Sequence, residues 1–246
     1  MRAKLSSRDL QRRLRDEVQR LTDRGDHETF REDLARRYIR GEGIEIGALH
    51  RPLRVPRPAH VRYVDRMSRE QLLAHYTSIV YGDPDWVVEV DVVDDGERLD
   101  RFADQSVDFV IANHMLEHAE DPVGVLEHFV RVLRSGGIVF LTLPDPDHTV
   151  DRLRPRTTVD HVLRDHREGP EVSRDDHYHE WAWVECVPPE RIPERVAQYA
   201  REGIHHHFHV WELPDFLELL RALDLPIKLE VAQSQLEEFT LILRRV

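Results

Sequence analysis

The sequence has one cysteine, two lysines and no long apolar stretch. Cys186 stands alone among 246 residues, which excludes an intrachain disulfide. No apolar run approaches the roughly 18 residues that span a bilayer, so we expect no membrane segment. The first residues have no apolar stretch behind them, so we expect no signal peptide. These absences predict a cytoplasmic protein in a reducing environment.

Positive charge is also scarce relative to negative charge. The chain carries 47 acidic and 35 basic side chains, for a formal net charge of -12 at pH 7. Such a balance repels phosphate backbones, so we expect no nucleic-acid partner. The length fits one α/β domain with extensions. The oligomeric state stays open, and a homodimer is one of the alternatives.

The most informative stretch runs from Gly41 to Pro52. Ile44 and Ile46 predict a short buried strand that ends in a tight turn at Gly47, with the charged Glu45 between them. Strand-then-glycine turns recur at nucleotide sites, because glycine lets a ligand approach the backbone closely.

A second short strand follows the first. It covers residues 62–65 and ends at Asp65, 20 positions after Glu45. The carboxylate of an acid at this distance can accept hydrogen bonds from the two hydroxyls of a ribose. The alternative for the two stretches together is an ordinary strand end and a surface acid.

Further strands and helices alternate downstream. Residues 86–93 predict a third strand, with Asp91 near its carboxyl end. Residues 107–144 predict a strand, a helix that begins with Asp121 and Pro122, and an apolar strand, joined by a right-handed crossover. Residues 227–232 and 239–243 predict an antiparallel hairpin. The fold class is therefore α/β, a Rossmann-like seven-stranded mostly parallel sheet with a C-terminal antiparallel hairpin and helices on both faces.

Two segments fall outside this alternation. Apolar residues at helical spacing predict two helices in residues 1–40. These helices form an N-terminal helical cap, which either packs on the domain or closes over a ligand. Residues 41–246 form the main domain. They contain a polar, histidine-rich insertion at about 145–210, which is too long for a simple loop and predicts a lid or a substrate platform.

With these elements placed, the chain from about Gly41 to Val246 resembles a class I S-adenosylmethionine-dependent methyltransferase. Residues 44–47 resemble the first motif of the family, and Asp65 its ribose-binding acid. Residues 107–118 resemble its fourth strand and Leu-Glu-His signature, and residues 131–137 its Arg-Val-Leu-x-x-Gly-Gly turn. Leu49 and Arg51 stand where the family commonly has further glycines.

The resemblance implies S-adenosylmethionine as the cofactor and S-adenosylhomocysteine as the product. It implies that the methionine half, the ribose and the adenine lie along the ends of the first four strands. The implied cofactor-binding residues are Glu45, Gly47, Ala48, Asp65, Arg66, Asp91, Val92, Asn113 and His114. Methyl transfer to a hydroxyl or an amine also requires that a proton be removed from the acceptor.

Histidines supply the candidates for that base. We predict that His118, His177 or His206 is the general base, since histidine titrates near neutrality. Histidine is also the commonest metal ligand. If extended, His177 and His179 would share one face, as would residues 205, 207 and 209. The metal question stays open.

The sequence therefore predicts an N- or O-methyltransferase with a small-molecule acceptor, a sugar or a natural-product hydroxyl or amine. Two alternatives remain. One is a metal-dependent enzyme that uses the histidine segments at 177–179 and 205–209. The other is a non-catalytic protein that binds S-adenosylmethionine.

Overall fold

The structure, a computed structural model, describes residues 27–76, 84–204, 206–235 and 237–246. In these ranges the chain forms seven strands and seven helices longer than one turn. In chain order they are α1 (His27–Tyr38), β1 (Glu42–Ile46), β2 (His60–Asp65), α2 (Arg69–His75), β3 (Val92–Val93), β4 (Val107–Asn113), α3 (Pro122–Val132), β5 (Leu133–Pro144), α4 (Val159–Glu168), α5 (Glu171–Val184), α6 (Ile192–Glu202), α7 (Leu213–Ala222), β6 (Ile227–Ser234) and β7 (Glu238–Arg245). The first predicted helix of the cap lies outside the described residues.

The seven strands form one sheet in the order β3-β2-β1-β4-β5-β7-β6. Strands β1 to β5 pair in parallel, and β7 pairs antiparallel with both β5 and β6. The predicted Rossmann-like sheet and its C-terminal hairpin are confirmed. The chain winds outward from β1 in one direction and from β4 in the other, so a crevice opens between the carboxyl ends of these two strands.

Helices cover both faces of the sheet, as predicted. Helix α1 places Leu34 and Ala35 against Phe109 and Phe140 on one face. Helices α3 and α7 bury Phe129 and Phe216 in the larger core on the other face. Successive residues of β4 and β5 alternate between these two cores, because side chains of a strand point to opposite faces in turn. Residues 109–112 of β4 and 138–141 of β5 are therefore all apolar and buried.

The third strand is shorter than predicted. Only Val92 and Val93 pair with β2, and Pro84–Trp86 forms a single 3-10 turn. Trp86 is 54% exposed, so the apolar spacing of this stretch does not reflect a buried strand. Asp91 consequently precedes β3 instead of lying near its carboxyl end, which corrects the prediction for this residue.

The predicted insertion is helical. Helices α4, α5 and α6 occupy most of residues 145–210, and two short 3-10 turns precede them. Tyr178, Val196, Tyr199 and Phe208 give α5 and α6 a small core of their own. Among the described residues, none of the helices combines the length and the apolar character that crossing a membrane requires.

Truncation of Phe109 to alanine should destabilise the fold severely. The ring is fully buried in β4 and packs against α1, so its removal leaves a cavity that the sheet cannot fill. We expect a loss of about 3–5 kcal/mol in the free energy of unfolding, measured by urea denaturation. Val150→Ala is the matched control, because Val150 is 62% exposed and should change stability by less than about 0.5 kcal/mol. Equal effects of the two variants would contradict this packing.

Candidate active site

A cleft of about 470 Å³ lies at the carboxyl ends of β1 and β4, where parallel α/β sheets bind ligands. Three parts of the chain meet there: the β1 turn, the end of β4, and the beginning and end of the helical insertion. The lining residues are Arg31, Glu45, Ile46, Gly47, Ala48, Leu49, His50, Arg51, Asn113, His114, Pro144, His148, Thr149, His207, Glu237 and Glu238. Five predicted cofactor residues are therefore brought together in one cleft: Glu45, Gly47, Ala48, Asn113 and His114.

The turn after β1 gives this cleft an open floor. Gly47 has φ +65°, and a Cβ atom placed there would meet no atom within 4 Å. Leu49 adopts φ 49°, a left-handed conformation that glycine tolerates best, and it stands at one of the positions where glycine was expected. The backbone thus keeps the conformation of a glycine turn although a leucine occupies the position.

Glu45 is a buried carboxylate at the edge of the cleft. It is 1% exposed and accepts hydrogen bonds from the Leu53 amide at 3.0 and 3.1 Å and from Asn113 Nδ2 at 3.4 Å. Burial outweighs these bonds and raises the pKa of Glu45 to about 8. The group therefore gains strongly from any cation that enters the cleft beside it.

His114 links the end of β4 to two further acids. Its Nε2 lies 2.9 Å from Glu238 Oε2, and its Nδ1 lies 3.6 Å from Glu117 Oε1. Burial alone would lower the pKa of this imidazole, but the contacts with Glu117 and Glu238 outweigh it and raise the pKa to about 9. Arg31 of α1 reaches Glu238 Oε1 at 3.3 Å, so one side of the cleft has alternating charges.

The other predicted cofactor residues lie around the ends of β2 and β3, outside the lining of this cleft. Asp65 ends β2 half-buried, and burial raises its pKa. The exposed Arg66 follows it. The Asp91 carboxylate accepts a hydrogen bond from the Tyr63 amide at 2.8 Å, which engages it with the middle of β2. Val92 is half-buried in β3 and faces the core.

The three predicted base candidates are not brought together. His177 and His206 are 5% and 3% exposed and do not line the cleft, and burial lowers the pKa of each to about 3. His206 stacks on Trp181 with ring centroids 5.1 Å apart. His118 packs edge-on against His207, with centroids 4.7 Å apart. Of the three, only His118 thus has a ring contact, among the described residues, with a residue that lines the cleft.

The structure adds a pair that the sequence analysis missed as a site. His207 Nδ1 lies 2.5 Å from Oδ2 of the buried Asp151. Burial alone would raise the pKa of Asp151, but its bonds to His207 and Arg154 outweigh this effect and lower it. An imidazole fixed by a carboxylate on one nitrogen retains the other nitrogen for proton transfer. The partners lie 56 residues apart, and no spacing pattern links them.

Two groups of side chains bring together atoms of the kind that bind metals. One contains Glu117, His118 and His207, and the other His161, His177 and His209. The predicted ligand pairing of His177 with His179 is wrong. Both residues lie in helix α5, where a spacing of two places them on different faces, so His177 is buried and His179 is exposed. His207 and His209 also separate, one into each group.

Comparison with known proteins agrees with this geometry. Residues 46–141 match the family model described as a methyltransferase domain, which is less than half of the chain and runs from the end of β1 into β5. A comparison with curated proteins found no match.

Solved structures resemble the chain at low sequence identity. A chain of the complex between the Haloferax volcanii Trm112 methyltransferase activator and a methyltransferase is 15% identical, with 94% of this chain and 93% of that chain covered and a TM-score of 0.51. A methyltransferase from Bacillus halodurans is 13% identical, with 90% and 99% covered and a TM-score of 0.48. An S-adenosylmethionine-dependent methyltransferase from Aquifex aeolicus is 13% identical, with 87% of each chain covered and a TM-score of 0.47. Of these three, only the first has a TM-score above 0.5, and at 15% identity it concerns the fold alone.

The sheet order, the cleft between β1 and β4 and the matched domain support a class I S-adenosylmethionine-dependent methyltransferase, which confirms the predicted resemblance. The cofactor that this class implies is S-adenosylmethionine. The residues present fit it. Space is open above Gly47, and the buried Glu45 carboxylate lies beside the cleft, where the ammonium or the sulfonium of the cofactor would offset its burial.

Replacement of His114 by asparagine should remove part of the pH dependence of stability. The pKa of His114 is raised in the folded state, so its stabilising effect is complete below about pH 6.5, its unfolded pKa, and is lost as the pH rises through about 9. Asparagine tolerates the φ of 50° at this position. Urea denaturation from pH 6.5 to 9 should show a steeper decline for the wild type than for His114→Asn. Parallel declines would contradict the His114 ion pairs.

Proposed function

We propose that this protein transfers a methyl group from S-adenosylmethionine to the hydroxyl or amino group of a small polar molecule. The observation that carries the proposal is the cleft at the β1–β4 crevice, because the Gly47 turn and His207, whose Nδ1 is engaged by Asp151, line one volume. Its size of about 470 Å³ suits part of the cofactor and a small acceptor.

The cofactor would lie along the carboxyl ends of β1, β2 and β4. Glu45, Gly47 and Ala48 would hold its methionine half, with Asn113 and His114 on the opposite wall. Asp65 would accept hydrogen bonds from the ribose hydroxyls, since it ends β2, the strand next to β1. We move the adenine position from Asp91 to the loop after β3, because the Asp94 amide donates to the Asp65 carbonyl at 3.0 Å and this loop lies at the same edge as the ribose acid.

The acceptor would occupy the side of the cleft that the insertion and the hairpin line. His148, Thr149 and His207 come from the insertion, and Glu237 and Glu238 from the start of β7. These groups donate and accept hydrogen bonds, and the acids favour an acceptor with positive charge. A sugar or a natural-product amine fits this lining better than an apolar molecule does.

S-adenosylmethionine supplies a methyl group on a sulfonium, which is already a strong electrophile. The chain must therefore align the acceptor, exclude water and remove one proton. His207 is our choice for the base. Its Nδ1 is engaged by Asp151, so Nε2 would accept the proton of the acceptor. His118, which contacts the His207 ring, stays a candidate. His177 and His206 do not, because they are buried away from the cleft.

Helix α1 and the insertion would act as covers of the cleft. Arg31 of α1 lines the cleft and pairs with Glu238, which supports the interpretation that the N-terminal cap closes over a ligand. The same helix packs Leu34 and Ile39 on the sheet, so packing and closure are compatible. The insertion at about 145–210 would be the acceptor platform within one domain that spans residues 41–246.

Calorimetric titration with S-adenosylmethionine and S-adenosylhomocysteine tests the cofactor site. We expect micromolar binding of both to the wild type, and at least tenfold weaker binding (about 1.4 kcal/mol) to Asp65→Ala, because the variant lacks the ribose acceptor. Asp91→Ala is the matched control, since the Asp91 carboxylate already bonds to the Tyr63 amide and should matter less than threefold. An Asp91 effect equal to that of Asp65 would return the adenine to Asp91, and no binding to the wild type would refute the proposed cofactor site.

Release of S-adenosylhomocysteine across a panel of small sugars, amines and hydroxylated compounds tests turnover and the base. With any acceptor so found, His207→Asn and Asp151→Asn should lower kcat at least 100-fold while the cofactor Kd stays within twofold. His148→Asn is the control, because His148 lines the same cleft and has no carboxylate partner among the described residues. Full activity of His207→Asn would refute its role as base. Cofactor binding with no turnover across the panel would favour the non-catalytic alternative.

A further inference from the structure

Four side chains from three parts of the insertion converge on one point away from the cleft. His161 and Asp165 lie one turn apart on α4, His177 lies on α5, and His209 lies in the extended segment before α7. One ring nitrogen from each of the three histidines lies within 4.8 Å of the others. The fold brings these residues together, since 48 positions separate His161 from His209 in the sequence.

The separations between the converging atoms match those of a coordination sphere. His161 Nε2 lies 3.2 Å from His177 Nε2 and 3.0 Å from Asp165 Oδ2, and His177 Nε2 lies 3.9 Å from the same oxygen. Tetrahedral Zn²⁺ with bonds of about 2.0–2.1 Å holds its ligand atoms roughly 3.3–3.4 Å apart. A single proton on His161 Nε2 can point at only one of its two neighbours, so hydrogen bonding alone does not satisfy the group.

The burial of these groups makes the missing bonds costly. Asp165 and His209 are each 1% exposed, and His177 is 5% exposed. Within the described residues, Asp165 Oδ2 and His209 Nδ1 are buried without a hydrogen bond of good geometry, although Asp165 Oδ2 has the close contact with His161 Nε2. A buried polar atom without a partner costs about 1–3 kcal/mol, and more if it is charged. A cation bound between them would remove much of this cost.

The surroundings supply the outer contacts that metal ligands have. Asp165 Oδ1 accepts a hydrogen bond from Ser173 Oγ at 2.5 Å, which leaves Oδ2 directed to the histidines. His209 Nε2 lies 3.3 Å from the Glu120 carbonyl, so this nitrogen can donate its proton and leave Nδ1 with a lone pair. Metal-binding histidines usually donate their second N–H to a carbonyl or a carboxylate in this way.

The other group of potential ligands differs in charge. Around Glu117, His118 and His207, the positive charges of His114 and Arg154 already compensate the acids. Around Asp165, the one cationic contact is Arg164 Nε, 3.6 Å from Oδ1, and no cationic contact on Oδ2 is seen among the described residues apart from the histidines themselves. Asp165 Oδ2 therefore has only histidine contacts, whereas the acids of the other group face His114 and Arg154.

We propose that His161, Asp165, His177 and His209 bind one divalent transition metal ion, of which Zn²⁺ is the best match. Three imidazoles and one carboxylate suit Zn²⁺, whereas Mg²⁺ and Ca²⁺ prefer oxygen ligands alone. Four protein ligands close the coordination sphere, as in structural sites. The ion does not take part in methyl transfer. It ties α4, α5 and the segment around His209 to one another.

This site would also fix the insertion against the cleft. The amides of Phe208 and His209 donate to the Glu117 carbonyl, at 2.8 and 3.3 Å. An ion held by His209 would therefore secure the segment that carries His207. The proposal does not depend on methyl transfer, since it concerns the hold of the insertion on the sheet.

Metal analysis of the full chain, produced without a histidine tag and purified without chelators, tests the proposal. We expect about one Zn²⁺ per chain by inductively coupled plasma mass spectrometry. His161→Gln should lose at least nine tenths of the metal, since it removes one ligand from a half-exposed position where a glutamine fits. His179→Ala is the matched control, because His179 is exposed on α5 and should leave the content unchanged.

Titration of the chelator-stripped wild type with Co²⁺ gives a second, independent readout. Four-coordinate Co²⁺ should produce its characteristic visible absorption, and one equivalent of Zn²⁺ should remove it. Absence of metal from the wild type together with absence of this absorption would overturn the proposal, as would full metal content in a folded His161→Gln variant. S-adenosylhomocysteine binding, measured on the same samples, separates a failure of this site from a failure of the proposed function.

Discussion

The position of the Glu45 carboxylate is the constraint on which the site depends. Burial makes the charged form of a carboxyl group in the centre of a parallel sheet costly, and two groups donate hydrogen bonds to Glu45 there. The Leu53 amide comes from the loop after the turn, and Asn113 comes from the end of β4. Glu45 thereby fixes the geometry between β1, β4 and the loop. Burial of an acid here disfavours its charged form, and a cationic ligand in the cleft would offset that cost.

Most charged side chains in the cleft form pairs of opposite sign. Arg31 faces Glu238, and His114 faces both Glu238 and Glu117. Glu45 has no ion pair of this kind among the described residues, although Arg31 lowers its pKa from a distance. Glu45 is thus the acid without a close cation at the β1 end of the cleft, where a cationic cofactor would favour its charged form. The net charge of the chain would not have located this position.

The sequence predicted the parts of the fold that depend on local patterns. The βαβ unit from Val107 to Pro144 was clear because Asp121 and Pro122 begin the helix and apolar residues fill both strands. The length predicted for the third strand was wrong, because Trp86 is exposed in spite of its apolar ring and only Val92 and Val93 pair with β2. The sequence does not predict helix α5, because its buried and exposed residues do not separate into one clear stripe, and the shared face of His177 and His179 holds only for an extended segment. Two of the four converging ligands, His177 and His209, lie on other elements than His161 and Asp165, and 56 positions separate Asp151 from His207, so periodicity cannot reveal these contacts.

The extended segment before α7 explains how two sites can depend on one stretch of chain. His207 turns toward Asp151 and the cleft, and His209 turns toward His161 and His177. Between them, Phe208 enters the small core of the insertion and its amide bonds to Glu117. Because three consecutive side chains are fixed in three different surroundings, the backbone has little freedom to move. A metal ion at His209 would therefore position the His207 ring through two rigid peptide units, without touching any group that reacts.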